Sequence, residues 1–370
     1  MKHILKKSLI IIFITIVIIE FVSFLFIKLN LINSNLPSWV TLHAHKEFAY
    51  WHPKNITFKN IAAQCWVSDA ISYNNYGMRS LDKVELKKKK QRIALLGDSM
   101  IENIELSDGY DVGSKIKEKL PEYEILNFSA RGTGLGDQID IYNKLIKKFD
   151  IDKIFLFVHY NDLINNSING NGEIYQRRYD YKDNQIIEIE KDYLWLNNYN
   201  SKFNLLKRNY SVYLKNTNSY KAYIHYLGIL KRLGHKKPPP KISTNDILSE
   251  KNDYEPHFEK NKKIYSFLKE KFISELEPHH ELYVILNIFP FNFDTEEKLN
   301  VEDIFIKNNV MPFLEITWAD QNFIYPVEIA KKYILENKLE YPYFSWTCDK
   351  HYSLRGSEFI SEVVYNKINN

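Results

Sequence analysis

Ser99 and a pair of residues near the C-terminus, Asp349 and His351, have the side chains that nucleophilic acyl transfer requires. A serine hydroxyl is a weak nucleophile, so a histidine must accept its proton and a carboxylate must orient the imidazole ring. Ser99 follows Gly97-Asp98 and the apolar run 93–96, a pattern that predicts a serine at the end of a buried strand. Asp349 and His351 are two positions apart, so in an extended loop their side chains point to the same side. The alternatives are an ordinary turn at Ser99 and a plain helix-entry loop at His351.

Two further stretches carry groups that suit the binding of a negatively charged oxygen. The segment 127–138 contains three alternating glycines, and its spacing does not fit a dinucleotide-binding loop. We interpret it as a tight loop whose backbone N–H groups, including that of Gly132, form a small anion-binding concavity. Asn161 and Asp162 follow the apolar run 153–158. Because open α/β sheets bind ligands at the carboxyl ends of their strands, these groups are expected at the same edge as Ser99.

The elements around these residues indicate an α/β domain with a parallel sheet. The apolar runs are short and continuous, as in strands buried on both faces, and helical patterns alternate with them. A C-terminal helix is expected after Gly356, capped by Ser357. Strands are predicted over 93–96, 124–128, 153–158, 282–288 and 313–318, and helices over 111–120, 136–149, 219–233 and 258–276.

In this order the four stretches resemble the motif blocks of the SGNH hydrolase family, also called the GDSL esterase/lipase family. Gly97-Asp98-Ser99 matches the nucleophile block, Gly132 the second block, Asn161-Asp162 the third, and Asp349 with His351 the terminal block. The chain departs from the family pattern in two places. His159-Tyr160 precedes Asn161 where members usually have glycine, and the terminal pair is Asp-x-His where many members have Asp-x-x-His.

The resemblance implies a flavodoxin-like three-layer sandwich with a central parallel sheet, and a mechanism without metal or cofactor. Ser99 would be the nucleophile, His351 the general base, and Asp349 the residue that orients the histidine. The N–H groups of Ser99 and Gly132 and the side-chain amide of Asn161 would form the oxyanion hole. The supporting residues implied in these blocks are Asp98 and Asp162.

The N-terminus predicts a membrane anchor. Residues 8–27 are nearly all apolar and long enough to span a hydrocarbon core, and lysines precede them. We therefore predict a single-pass plasma (inner) membrane protein with a cytoplasmic N-terminus and an extracytoplasmic catalytic domain. The predicted organisation is an N-terminus and transmembrane helix over 1–28, a juxtamembrane connector over 29–80, and a hydrolase-like domain over 81–370 with a helical insertion at about 165–280.

The composition limits the remaining possibilities. The net charge is +4, and most of it lies in the first 28 of the 370 residues, which argues against a nucleic-acid-binding surface. Cys65 and Cys348 have no metal-binding spacing and are either paired or simply buried. Three histidines of the predicted connector, at positions 43, 45 and 52, are loosely clustered and suit either a metal site or a polar face near the membrane.

These observations favour a serine esterase that removes acyl groups, with acetyl the first candidate, from an envelope polysaccharide or glycolipid. The partners implied are an acylated carbohydrate or a lipid-linked substrate and, through residues 8–27, the membrane. Two alternatives stay open. The same site would serve an O-acyltransferase with a sugar hydroxyl in place of water, and a catalytically silent envelope scaffold would also keep the fold.

Overall fold

The fold is described from a computed structural model of the 370-residue chain. The residues that the structure describes are 11, 13–23, 25, 43–44, 50–62, 66–168, 177–189, 255–288, 292, 299–336, 338, 344–346 and 350–370. Two compact units divide the chain: Met1–Val40 with Asn197–Ile242, and Thr41–Leu196 with Ser243–Asn370. The sheet and the candidate site both belong to the second unit.

Residues 13–23 of the N-terminal stretch are helical. In the described part of the chain, however, no helix has the length and apolar character needed to cross a membrane. The transmembrane helix expected over residues 8–27 stays a prediction.

A five-stranded parallel sheet forms the centre of the second unit. Its strands are β5 (Gln91–Leu96), β6 (Tyr123–Asn127), β7 (Lys153–Val158), β10 (Glu281–Leu286) and β11 (Asn322–Ile324), numbered in chain order with the four N-terminal strands and one hairpin described below. Their order across the sheet is β11-β10-β7-β5-β6, and every pairing is parallel. This is the strand order of flavodoxin-like folds, so the predicted α/β fold class is confirmed.

The central strands β5 and β7 contain continuous apolar runs, because both faces of the sheet are covered there. In β5 the four residues from Ile93 to Leu96 are fully buried, and in β7 the five residues from Ile154 to Val158 are buried. A parallel sheet needs a crossover after each strand, and the right-handed crossovers place helices on both faces. The continuous apolar runs in the sequence therefore follow from the connectivity.

Nine helices are described around the sheet. The helices are α1 (Ser99–Glu102), α2 (Val112–Lys119), α3 (Leu135–Lys144), α4 (Asp162–Asn165), α5 (Phe258–Glu275), α6 (Val301–Phe305), α7 (Met311–Trp318), α8 (Val327–Glu336) and α9 (Leu354–Asn369). The long α5 packs against α3, against the short α4 and against the hairpin strand β8 (Arg178–Lys182). The C-terminal α9 packs against α2. One π-helical turn, Ile306–Val310, joins α6 to α7.

Four strands precede the sheet in the predicted connector. β1 (His43–Ala44) pairs with β2 (Tyr50–Trp51), and β3 (Ile56–Ala62) pairs with β4 (Trp66–Tyr73), both antiparallel. Hydrogen bonds tie the connector to the segment between β5 and β6: Ala70 accepts a backbone hydrogen bond from Asp108 at 2.8 Å, and Ser68 Oγ donates to the carbonyl of Ile104 at 2.8 Å. The described residues of this part of the connector thus pack against the unit that contains the sheet.

The structure corrects two of the predicted elements. The predicted strand over 313–318 is wrong: this run belongs to α7, which begins at Met311 with Pro312 in its first turn and buries Leu314 and Trp318, four residues apart on one face. The C-terminal helix begins at Leu354, because the side chain of Ser353 accepts from Gly356 N and makes Ser353 the N-cap in place of Ser357.

The predicted helical insertion is described only in part. Its described residues form an antiparallel hairpin, β8 (Arg178–Lys182) and β9 (Gln185–Ile189), and the helix α5. The predicted helix over 219–233 lies outside the described residues, as do Cys65 and Cys348. The domain boundaries stay predictions.

Candidate active site

Ser99 stands at the carboxyl end of β5, where the strand turns into α1. Gly97 allows this turn to pack closely, since a Cβ there would lie 3.1 Å from the Cβ of Phe157 and 3.3 Å from Ile101 Cγ1. Asp98 caps the helix, and its side chain accepts a hydrogen bond from Met100 N at 3.0 Å. Ser99 is the first residue of α1 and is partly exposed. The turn therefore presents its hydroxyl at the sheet edge.

His351 lies within hydrogen-bonding distance of this serine. The distance from His351 Nε2 to Ser99 Oγ is 2.9 Å, across 252 positions of sequence. The histidine loop is tied down on both sides: Trp346 N donates to the carbonyl of His351 at 2.8 Å, and Asn103 Nδ2 donates to the carbonyl of Tyr352 at 3.2 Å. The predicted pairing of serine and histidine is present.

A carboxylate that the sequence did not single out faces the other nitrogen of this histidine. Glu105 Oε1 lies 3.8 Å from His351 Nδ1, within ion-pair distance, and the glutamate side chain is only 4% exposed. Glu105 follows the left-handed residue Asn103, at which α1 ends. Glu105 follows the Gly97-Asp98-Ser99 block closely in the sequence, and this closeness is the signal that could have identified it as a candidate site residue. Asp349, the predicted orienting acid, lies outside the described residues.

The two predicted oxyanion loops follow the neighbouring strands β6 and β7. The loop with Gly132 is bonded to the nucleophile turn, since Ala130 N and Thr133 Oγ1 both donate to the carbonyl of Gly97 at 3.2 Å. Gly132 has φ +71°, a conformation that favours glycine. Asn161 is the N-cap of α4, and its N–H donates to His159 Nδ1 at 3.2 Å. The carboxyl ends of β5, β6 and β7 thus bring all three blocks to one edge, and the oxyanion roles stay predictions.

The supporting acids Asp98 and Asp162 are both buried. Asp162 accepts from His159 N at 2.8 Å, and Asp98 Oδ2 lies 3.7 Å from His159 Nδ1. Burial, together with the nearby charge of Asp98, raises the pKa of Asp162 well above its usual value. Burial lowers the pKa of His159, although the carboxylate of Asp98 opposes this. His159, which stands where the family usually has glycine, therefore links the first and third blocks.

A further buried acid, Glu102, occupies the last position of α1. Its Oε2 accepts a hydrogen bond from Arg131 N at 2.7 Å, next to Gly132. Its Oε1 accepts from the Tyr73 hydroxyl, and lies 3.1 Å from His52 Nε2 and 3.3 Å from Arg131 Nη2. Burial acts to raise the pKa of Glu102, but Arg131 and His52 outweigh it and hold the pKa below its usual range. Sequence inspection missed this arrangement, because its members come from three separate segments.

The rim beside His351 combines an ion pair with an aromatic ring. Lys350 Nζ lies 3.2 Å from Asp303 Oδ1, which joins the histidine loop to α6. The half-buried Tyr160 lies against His159, with ring centroids 4.4 Å apart. Burial raises the pKa of Tyr160, and the nearby charge of Asp303 adds to this effect. Aromatic rings and paired charges of this kind suit a polar, hydroxyl-rich ligand.

One group of described side chains has the composition of a metal site, but it lies away from Ser99. Glu277, His279 and His280 precede β10, at the amino edge of the sheet. His280 Nδ1 is 2.8 Å from the hydroxyl of Tyr142, which also accepts from Glu277 N. These contacts tie α3 to the start of β10 and form no part of the candidate site.

No protein-family model matches the chain, and no curated protein matches it. Solved structures do resemble it. A member of the lipolytic protein G-D-S-L family from Veillonella parvula has 10% identity and a TM-score of 0.38, with 76% of this chain and 99% of that chain covered. A catalytic mutant of the acetylxylan esterase Axe2 from Geobacillus stearothermophilus has 10% identity and a TM-score of 0.38, covering 77% of this chain and 97% of that chain. A lipase/acylhydrolase from Enterococcus faecalis has 12% identity and a TM-score of 0.37, covering 75% and 95%.

At these identities and scores, the likeness by itself assigns neither substrate nor mechanism. The chain resembles SGNH hydrolases in the order of its motif blocks, and it has a flavodoxin-like sheet and a serine–histidine pair at the carboxyl edge of that sheet.

Proposed function

We propose that this chain is a serine ester hydrolase of the SGNH type. The observation that carries the proposal is the 2.9 Å distance between His351 Nε2 and Ser99 Oγ at the carboxyl edge of the sheet. Two residues 252 positions apart are held at hydrogen-bonding distance, in a turn and a loop that are each fixed by their own hydrogen bonds. This is the geometry that general-base activation of a serine requires.

The reaction follows from this geometry. His351 Nε2 takes the proton of Ser99 Oγ as that oxygen attacks the ester carbonyl carbon, and the carbonyl oxygen becomes an oxyanion. The N–H groups of Ser99 and Gly132 and the side-chain amide of Asn161 donate to this oxyanion. The protonated histidine then gives its proton to the leaving alcohol, which leaves an acyl-serine. Water attacks this ester with His351 again as the base, and releases the acid.

The imidazolium formed in each step needs a nearby negative charge. Asp349 is assigned this role by the family motif, and Glu105 supports it from the side of Nδ1, at 3.8 Å. Both carboxylates come from segments adjoining the catalytic residues themselves, since Glu105 follows α1 and Asp349 precedes His351 by two positions. The proposal therefore does not depend on one acid alone.

The proposed substrate is an acyl ester, with acetyl as the first candidate, on a polysaccharide or glycolipid of the cell envelope. Tyr160 and the pair of Lys350 with Asp303 support a carbohydrate, because Tyr160 lies against His159 after the third motif strand and the charged pair adjoins His351 in the sequence. The location outside the plasma membrane rests on the apolar residues 8–27 and the lysines before them. A cytoplasm-dependent reporter fused after Asn370 should be silent, and strong reporter activity would contradict this topology.

Labelling with a serine-directed fluorophosphonate tests the proposed chemistry. The full chain in detergent should be labelled on Ser99, and Ser99→Ala should remove the label while the melting temperature stays unchanged. Ser129→Ala is the matched control, because Ser129 is a buried serine of the neighbouring loop. Absence of label in a folded wild-type protein would refute a nucleophilic Ser99. With an acetylated oligosaccharide, free acetate identifies a hydrolase, whereas acetyl on an added sugar acceptor identifies a transferase.

A further inference from the structure

A buried carboxylate connects the nucleophile helix to the second motif loop. Glu102 lies three residues after Ser99, in the same short helix, and is fully buried. Its Oε2 accepts from the backbone N–H of Arg131 at 2.7 Å, and the next residue along the chain is Gly132. A shift of this carboxylate would therefore move the peptide that precedes the predicted oxyanion N–H.

The opposite oxygen of Glu102 is surrounded by donors from the segment that precedes the sheet. The hydroxyl of Tyr73, at the end of β4, donates to Oε1. His52 Nε2 lies 3.1 Å from the same oxygen, and His52 Nδ1 lies 2.9 Å from the carbonyl oxygen of Gly77. Both ring nitrogens thus face oxygen atoms, one on Glu102 and one on Gly77. The rings of His52 and Tyr73 are stacked, with centroids 4.1 Å apart.

The position of His52 is itself constrained. Trp51 Nε1 donates to the carbonyl of Tyr76 at 2.8 Å. A Cβ at Gly77 would lie 2.6 Å from the carbonyl oxygen of His52 and 2.7 Å from Trp51 Nε1, so this close approach needs glycine. Gly77 also has φ +82°, which a residue with a side chain rarely adopts. The connector therefore holds the imidazole rigidly against the carboxylate.

We propose that Glu102, held by His52 and Tyr73, is a positioning residue that fixes the Ala130–Arg131 peptide and thereby the N–H of the next residue, Gly132, for oxyanion binding. The segment over residues 50–80 is then an integral part of the active site and its rear support. Glu102 does not touch the substrate and acts through the loop that it holds. Only the expected effect of Glu102 on kcat rests on the proposed function. The positioning of the loop by Glu102 can be measured without any enzymatic activity.

Three variants of the full chain test the proposal. Glu102→Gln keeps the shape and removes the charge, and Tyr73→Phe removes a single donor to Oε1. Tyr142→Phe is the matched control, since Tyr142 is also fully buried and hydrogen-bonded but lies at the amino edge of the sheet. The first measurement is hydrogen–deuterium exchange of a peptide covering residues 128–135. The second is the hydrolysis of p-nitrophenyl acetate, with kcat and KM separated.

In Glu102→Gln, exchange at 130–133 should rise at least tenfold, while exchange in β7 stays unchanged. For this variant kcat should fall ten- to a hundredfold with KM within twofold, below the roughly 10²–10³ that loss of a whole oxyanion donor costs. In Tyr73→Phe, exchange at 130–133 should rise and kcat should fall, each by three- to tenfold, with KM again little changed. Tyr142→Phe should lower the melting temperature as much as Tyr73→Phe does, with kcat unchanged.

Unchanged exchange at 130–133 in both variants would overturn the positioning role, whatever the activity. A fall in kcat for Tyr142→Phe equal to that for Tyr73→Phe would also overturn it, because a general loss of stability would then explain both. If Glu102→Gln does not fold, Tyr73→Phe decides the question alone. A wild-type protein that neither hydrolyses esters nor reacts with fluorophosphonate would refute the proposed function, and the exchange data would still decide the inference.

Discussion

Replacing Glu105 with glutamine should weaken catalysis through the histidine while leaving Ser99 in place. Glu105 Oε1 and His351 Nδ1 are 3.8 Å apart, and two unit charges at that distance interact by about 4 kcal/mol at an effective dielectric constant of about 20. The histidine side chain is 26% exposed, so solvent screening reduces this to about 2 kcal/mol. The carboxylate favours the imidazolium that forms in the transition state, and its loss should lower kcat about 30-fold.

The pH dependence gives the same test a second readout. A carboxylate beside His351 favours the protonated ring, which cannot act as a base. Its removal should therefore move the acid limb of the kcat/KM profile to lower pH. The assay is p-nitrophenyl acetate hydrolysis between about pH 4 and 9. Glu124→Gln is the control, because Glu124 is paired with Arg92 at the amino ends of β5 and β6.

A Glu105→Gln variant with kcat within twofold of the wild type and an unmoved acid limb would refute this reasoning. Asp349→Asn completes the comparison. If Asp349 alone orients the imidazole, Asp349→Asn should lose almost all activity and Glu105→Gln none. If the two carboxylates share the role, each single variant should retain measurable activity, and the double variant should lose more than either.

Three further predictions concern the site and its supports. Gly132→Ala should lower kcat by more than tenfold with little change in KM, because φ +71° strains a residue with a Cβ and moves its N–H; steady-state kinetics check this. Gly356→Ala should lower the free energy of unfolding by about 3 kcal/mol in urea denaturation, because a Cβ there would overlap the carbonyl oxygen of Phe344. The pKa of Glu102 is held below its usual value in the fold, so its contribution to stability is present above about pH 4.5 and is lost as the pH falls. Between about pH 4.5 and 2 the unfolding free energy of the wild type should therefore fall more steeply than that of Glu102→Gln, by up to about 1.4 kcal/mol per pH unit, and equal slopes would contradict the assigned ionisation.

The sequence alone predicted four of the five described strands of the sheet and the proximity of Ser99 to His351. The strands over 93–96, 124–128, 153–158 and 282–288 were predictable because buried parallel strands must be apolar on both faces, and this leaves a continuous run in the sequence. The order of the motif blocks along those strands placed Ser99, Gly132 and Asn161 at one edge, since parallel strands have their carboxyl ends together, and the resemblance of the terminal block added His351 to that edge. The run over 313–318 was wrongly predicted to be a strand, because a short apolar run does not distinguish a strand from a buried helical turn.

The tertiary structure decided which charged groups surround those residues. Glu105 and Glu102 look in the sequence like ordinary acidic residues near a turn, and only the fold buries them against His351 and Arg131. His52 and Tyr73 were read as part of a connector, because nothing in a local pattern reports a contact made across 50 residues with Glu102. Secondary structure follows from the local periodicity of apolar residues, which can be recognised in the sequence. The electrostatics of the site depend on distances between separate segments, and only the packed fold sets those distances.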